Sequence, residues 1–567
     1  MGVAASTIMR SSSHRRGGAP AYDGRVTERL PRTTTARVLS IAVPAAVLGV
    51  AAATRLIGLE TPAELVFDET YYVKDAESLR QLGYEGRWPD DANASWAAGA
   101  PGSPSELAAF VAHPPLGKWV IALGLAVLGP ENPAGWRLGT AIAGIALVGL
   151  VMVLAHLLLG RLALTGIAGL LIAIDGNAIV MSRVALLDGV LALLVVLAVI
   201  LLVLDRRQVR RELDEWIAHR HAHEHPSDWG PAFWGRPWLV GAGVVFGLAI
   251  GVKWSALYLL AAFAVLTVVA DAIERRRAGV ALWASGTLLR QAPISAVLLL
   301  PSALAAHLLT WTGWFISSGG YGRTREVTDE NRLAGPFGLL PDALQNWWEY
   351  QTAIYGYHVG VTSEHNYEAP ALGWPLLLRP TYMHYTDRGD GTAEAITGIP
   401  NPLIWYGAVA AVLVLLVWAI VETVQRVRAA RAGVDRRNRM PASGWAIALV
   451  LTGVAAGWLP WLLYPERTMF FFYTIVLTPF LVLALTIALG AILGPPRPVA
   501  LPADADVDPG AEPETEAART RRVAGVLIVS GMLALAVILS LFFLPLWTGI
   551  PIPIDQLRLR YWLPTWI

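Results

Sequence analysis

Two adjacent carboxylates, Asp68 and Glu69, stand in the stretch Val66-Phe67-Asp68-Glu69-Thr70-Tyr71-Tyr72, directly after the first long apolar segment. Charge at a membrane boundary is costly to place and tends to be kept for function. A carboxylate there can act as general base toward a hydroxyl. Read alone, the pair is equally an acidic helix start favoured by the helix dipole. The functional reading needs other ionisable groups on the same membrane face, and the segment order supplies His113, Lys118, Arg137, Arg183, Asp188, Lys253, Arg379, His384 and Arg467. A single basic residue at a span end is ordinarily a snorkelling anchor. So many on one face, with two carboxylates, fit one reaction, the transfer of a sugar from a polyprenyl phosphate to a hydroxyl. Asp68 is then the base, and cations meet the departing phosphate, with arginine offering bidentate geometry. The candidate catalytic residues are Asp68 and Glu69. The candidate phosphate ligands are His113, Lys118, Arg137, Arg183, Lys253 and Arg467. Asp188, Arg379 and His384 are read as acceptor-facing or structural.

The elements that must position these groups are membrane helices. Of 567 residues, 55% are hydrophobic and 15% charged. Apolar runs approach or exceed the ~18 residues that span hydrocarbon, and backbone satisfaction in lipid makes such spans helical. About eleven are expected, near 37–58, 138–160, 162–181, 184–204, 238–252, 255–271, 286–311, 403–423, 444–463, 469–493 and 523–546. The third is interrupted by Asp175-Gly176-Asn177. His113-Pro114-Pro115-Leu116-Gly117-Lys118 opens a short apolar run ending at Gly129, suited to a re-entrant or interfacial helix. Pro-Pro is also a plain helix start, although a helix N-terminus flanked by His113 and Lys118 attracts phosphate.

Charge asymmetry orients the chain. Residues 1–36, polar and expected to be disordered, fall inside, as do the loops 205–237, 272–285, 424–443 and 494–522 with the arginine clusters. The long polar segments 59–135 and 312–402 and the tail 547–567 fall outside. The expectation is an all-α polytopic protein of the plasma membrane, its site on the extracytoplasmic side.

Other features exclude or weaken alternatives. There is no cysteine, so disulfide and thiolate chemistry are excluded. The net charge of +1 points to no partner, and no nucleic-acid role is expected. The polar, arginine-rich start reads as no cleavable signal peptide. The alternation His219, His221, His223, His225 resembles a metal tract but lies in a predicted inner loop without an acidic frame; it reads as a solvated run, and no metal is expected. Asp175 and Asp188 bracket the ends of the third and fourth spans, with Arg183 as their expected partner and Asp175 as structural. Neither an internal repeat nor hydropathy symmetry is evident, and the charges gather at span ends, which disfavours a transporter.

The ordered set Phe67-Asp68-Glu69-Thr70-Tyr71-Tyr72-Val73, His113 to Lys118, Trp136-Arg137, Ser182-Arg183…Leu187-Asp188, Gly251-Val252-Lys253-Trp254-Ser255, Trp374 to Pro380 and Phe470-Phe471-Phe472-Tyr473 resembles the protein O-mannosyltransferase family of the GT-C superfamily, in an actinobacterial form. Each motif is weak; the order is specific and covers nearly the whole chain. The resemblance implies a GT-C glycosyltransferase fold and inverting transfer of mannose from polyprenyl-phosphate-mannose to Ser or Thr of secreted or membrane proteins during export. It also implies that no metal or cofactor is needed. The family's acid pair maps onto Asp68-Glu69 and its essential arginine onto Arg137. Eukaryotic members carry a β-trefoil domain in the second long loop, for which residues 312–402 are too few, so acceptor recognition must differ here. A related transferase with a glycolipid or polysaccharide acceptor shares the same donor chemistry; labelled donor entering lipid rather than peptide would single it out.

Overall fold

The computed structural model describes residues 34–222, 228–432, 442–495 and 515–567. His223 and His225, residues 1–33 and the middles of the loops 424–443 and 494–522 lie outside the described residues. The chain divides into two units, Met1–Ile41 and Ala42–Ile567; the described part of the first is the opening of the first helix.

In chain order the helices are α1 (Thr34–Leu56), α2 (Glu69–Leu82), α3 (Leu116–Leu128), α4 (Pro133–Leu159), α5 (Leu162–Ala173), α6 (Gly176–Arg183), α7 (Asp188–Ala222), α8 (Pro237–Ile250), α9 (Ala256–Arg277), α10 (Ala292–Thr310), α11 (Asp342–Gly360), α12 (Pro402–Arg431), α13 (Ala442–Trp458), α14 (Thr478–Leu493) and α15 (Glu516–Thr548), with shorter turns between. Among the described residues eight helical segments are long and apolar enough to cross a membrane, and α5 with α6 makes a ninth bent by 60°. The chain is a multi-pass membrane protein. The other two expected spans form the shorter apolar helices α8 and α14. At about 1.5 Å per residue, the 14 residues of α8 and 16 of α14 fall short of ~30 Å of hydrocarbon. The first part of the tenth expected span is instead a 3-10 turn, Phe471–Val476.

Local chemistry explains the boundaries near the site. Pro115 immediately precedes α3, which ends at Gly129 with φ of +85°, a conformation glycine accepts readily. Asn132 caps α4 through Ala134 N at 3.0 Å, with Pro133 at the first position. The break between α5 and α6 falls at the expected interruption. Asp175 caps α6 through Ala178 N (3.0 Å) and accepts from Asn401 N (3.1 Å), a structural role as expected. A Cβ on Gly176 would lie 2.1 Å from Ile399 O, so only glycine permits this approach. All of α6 is buried, and α7 beside it carries the most enclosed of the spanning segments.

At one end, the polar segments predicted to share a side do meet. Residues 382–397 form the hairpin β1 (Tyr382–Asp387) and β2 (Thr392–Thr397), and the tail adds β3 (Ile552–Pro553) in the order β1-β2-β3. Trp566 Nε1 donates to Leu377 O at 2.8 Å, and Val111 N donates to the Tyr350 hydroxyl at 3.1 Å. The small sheet is an addition to a fold that is otherwise helical, as expected. Arg236, fully buried in the predicted inner loop 205–237, joins Asp205, Asp271 and Ser295, tying that loop to α7, α9 and α10.

Candidate active site

The loop between α1 and α2 is held at both ends by arginines. Arg183, from the end of α6, donates to Thr54 O (3.2 Å), Ile57 O (2.8 Å) and Gly58 O (2.6 Å), the carbonyls left open where α1 stops. Arg137, near the start of α4, spends all five of its N–H groups on the same loop. Nε and Nη2 pair with Glu69 Oε1 and Oε2, both at 2.8 Å. Nη1 donates to Leu59 O (3.2 Å) and Pro62 O (2.8 Å), and the second Nη2 hydrogen to Glu64 O (3.1 Å). Glu69 also accepts from Val66 N (3.0 Å) and Ala185 N (2.8 Å). Both side chains are buried, so the pair is bidentate, satisfied and enclosed.

This clamp sets Asp68, which directly precedes α2 and is half-buried. Phe67 adopts φ of +50°, rare for a bulky residue. Its ring is held edge-on by Phe470 (5.6 Å), Phe472 (5.7 Å) and His365 (6.1 Å), which keeps the unusual backbone in place. Burial pushes the Asp68 carboxyl up to about 6; Lys253 opposes the shift, Asp188 adds to it, and the Tyr72 hydroxyl, hydrogen-bonded to Asp68, opposes it.

Beside Asp68 opens a cavity of about 370 Å³. Asp68 does not line it but lies within electrostatic reach of Lys253 and Asp188, which do. Lys253, at the junction of α8 and α9, donates to Asp188 Oδ2 at 2.7 Å and sits over the rings of Tyr473 (5.2 Å) and Phe472 (5.6 Å). Arg467 donates to His358 O (2.8 Å) and Thr468 O (2.9 Å) and packs on Trp461. Unlike Arg137 it keeps N–H groups beyond these contacts, and it lines the cavity. His113 stacks on His358 at 4.8 Å, and its Nδ1 is buried without a hydrogen-bond partner. Burial drives both imidazoles down, His113 well below the usual range and His358 to about 4, with Lys253 and Arg467 adding to the shift. Both rings are therefore neutral at physiological pH.

The structure thus sorts the expected residues. Asp68, His113, Asp188, Lys253 and Arg467 come together at the cavity. Arg137 and Arg183 do not line it: Glu69 and loop carbonyls take every donor of Arg137, and the guanidinium of Arg183 is turned to Thr54 O, Ile57 O and Gly58 O. The expected Arg183 pairing with Asp188 is replaced by Lys253. Lys118 is buried elsewhere, against Glu85 and, at 3.7 Å, Asp75. Arg379 binds Asn366 O and Thr565 O (3.0 Å), and His384 faces Glu64 at 3.5 Å; neither lines the cavity. Sequence reading missed His358, Tyr258, Tyr355 and Trp461 as lining residues. For Tyr355 and His358 the signal was the aromatic density of 312–402, within which only α11 puts the two on one side; Tyr258 and Trp461 stand in or beside predicted spans, where an aromatic reads as an interface anchor. Among the described residues no group of three or more His, Asp or Glu is placed to hold a metal ion.

Comparison with known proteins gives the chain's relatives. Residues 343–566 match the model of the C-terminal four-transmembrane region of protein O-mannosyltransferase, and residues 112–218 that of dolichyl-phosphate-mannose-protein mannosyltransferase. A polyprenol-phosphate-mannose–protein mannosyltransferase of Mycolicibacterium smegmatis is 33% identical over 93% of this chain and 92% of its own. One from Mycobacterium tuberculosis is 33% identical over 81% of each. The Saccharomyces cerevisiae Pmt1–Pmt2 protein O-mannosyltransferase complex, solved with its sugar donor, has a TM-score of 0.64 at 14% identity, covering 93% of this chain and 92% of that one, which shows a shared fold.

Breaking a buried pair by removing one partner costs about 3–5 kcal/mol, because the other charge is stranded. Arg137→Met and Glu69→Gln should each lower thermal stability in detergent by that order, and the double variant by less than their sum. Additive losses would show that the two side chains do not act as a pair.

Proposed function

The chain belongs to the protein O-mannosyltransferase family, and on that premise we propose that it transfers mannose from polyprenyl-phosphate-mannose to Ser or Thr hydroxyls of exported proteins, with inversion, at the outer face of the plasma membrane. The observation that carries the reading is Asp68, a carboxylate of raised affinity for protons, held beside a cavity whose cations are Lys253 and Arg467. The acceptor oxygen attacks C1 of mannose while Asp68 takes its proton. The bond from C1 to the phosphate oxygen breaks, and polyprenyl phosphate leaves with the electron pair. Lys253 and Arg467 offset the charge gathering on that oxygen. A base with a value near 6 is poised close to working pH and remains ionised above it.

Glu69 and Arg137 are positioning residues in this scheme, fixing the loop rather than touching substrate. The neutral rings of His113 and His358 donate or accept without adding charge at the cavity wall. Asp188 holds Lys253 in place, and its negative charge helps keep Asp68 basic. The outer location is supported by segments 59–135, 312–402 and 547–567 meeting at the cavity end, the same three that charge asymmetry assigns outside.

Asp68→Asn should abolish mannose transfer to peptide while leaving the protein in the membrane; retained transfer would remove Asp68 as base. In the unmodified enzyme kcat/KM should fall tenfold per pH unit below about 6 and level off above it, since only ionised Asp68 accepts a proton. A limb absent between pH 5 and 7 would speak against that role. Arg467→Ala should raise the KM for donor by more than tenfold, and an unchanged value would take Arg467 out of the phosphate site. Because the chain lacks cysteine, Glu64→Cys gives a single thiol on the loop before Asp68. It should react with a membrane-impermeant maleimide on intact cells; labelling only after lysis would put the loop in the cytosol.

A further inference from the structure

From Phe67, next to Asp68, an aromatic trail leaves the site. Phe67 meets the exposed His365 at 6.1 Å, His365 lies 6.0 Å from Tyr367, and Tyr367 stacks on Tyr382 at 5.3 Å with planes 17° apart. Tyr382 is the first residue of β1. In the order β1-β2-β3, β1 has a partner on one side only among the described residues. Tyr385, Thr386 and Asp387 on it are exposed. Free strand edges are normally blunted by charge, yet here Asp387, Arg388 and Asp390 cluster at the turn and leave Tyr382 to Thr386 without an ionised side chain. His384 is kept neutral by burial. A register shift between Tyr382 and His384 bends the strand at its active-site end, and His384 comes within 3.5 Å of Glu64 on the loop that carries Asp68.

We infer that the free edge of β1 is where the acceptor polypeptide docks: the segment around the target Ser or Thr lies extended beside β1 as an added strand, and its hydroxyl reaches Asp68 past Phe67. The inference rests on the transferase reading above and names how its protein substrate is held. Strand addition uses main-chain hydrogen bonds, which any polypeptide but not a glycolipid can supply. The exposed Tyr385 and the half-buried Tyr367 and Tyr382 flanking the edge add apolar contact without demanding a side-chain sequence. Phe472 touches Phe67 at 5.7 Å and lies under Lys253 at 5.6 Å. Phe472 therefore links the acceptor side of the site to Lys253 at the cavity.

The test pairs a modified acceptor with a single thiol. A peptide acceptor N-methylated at alternate residues flanking its Thr should show KM raised at least tenfold with kcat little changed, whereas an unmethylated peptide of scrambled flanks should not. Thr386→Cys, the only thiol in the chain, should form a disulfide with a peptide bearing Cys a few residues from its Thr; Leu339→Cys, on an exposed turn elsewhere, should not. Unchanged KM for the N-methylated peptide, no cross-link above the Leu339→Cys level, or a disulfide-linked dimer of the Thr386→Cys protein in place of the peptide adduct would each overturn the docking edge. If no peptide is mannosylated at all, the transferase reading itself has failed, which is a different result.

Discussion

The buried pair between Arg137 and Glu69 is the constraint on which the site depends. Two charges withdrawn from water are tolerable only when geometry and extra hydrogen bonds compensate. Here the compensation is complete: five guanidinium hydrogens have five acceptors, and the carboxylate has two backbone donors besides. Those acceptors are spread over Leu59 to Glu69, so satisfying one arginine fixes an irregular loop that has no secondary structure of its own. Asp68 inherits its position from a neighbour one residue away.

The cations divide by what satisfies them. Arg55, Arg137 and Arg183 are enclosed and turned toward carbonyls or the hydroxyl of Ser182, closing helix ends and loop turns. Lys253 and Arg467 are held by fewer partners and rest on aromatic faces, which anchor a cation while leaving N–H groups for a ligand. One carboxylate is locked for architecture and the other is left available. In this site enclosed, satisfied charge and less satisfied charge share a small volume, and this sorting lets them do so.

Much of this was legible beforehand. The apolar runs, the break at Asp175-Gly176-Asn177, the start of α3 after Pro114-Pro115 and the convergence of Asp68, His113, Lys253 and Arg467 follow from hydropathy, turn chemistry and segment order. The roles of the cations were not. An arginine beside a span end has the same signature whether it meets phosphate or a carbonyl, and only the fold shows that Arg137 has no donor to spare while Arg467 does. Lys118 misled for a related reason: its partner Glu85 lies far along the chain in a segment without periodicity. The left-handed backbone at Phe67 was also hidden, because residue type argues against it and only the surrounding rings enforce it. The hairpin escaped because Tyr382 to Thr397 is short and sits among aromatics that read as a generic polar loop.

The pairing of β2 with β3 bears on the order in which the molecule is made. The ribosome delivers Thr392 and Ala393 well before Pro553 and Ile552, their partners in the sheet. Helices α12 to α15 are synthesised in the interval. Membrane insertion of the C-terminal helices must thus precede completion of the sheet beside the loop that carries Asp68, so this part of the molecule is among the last to mature.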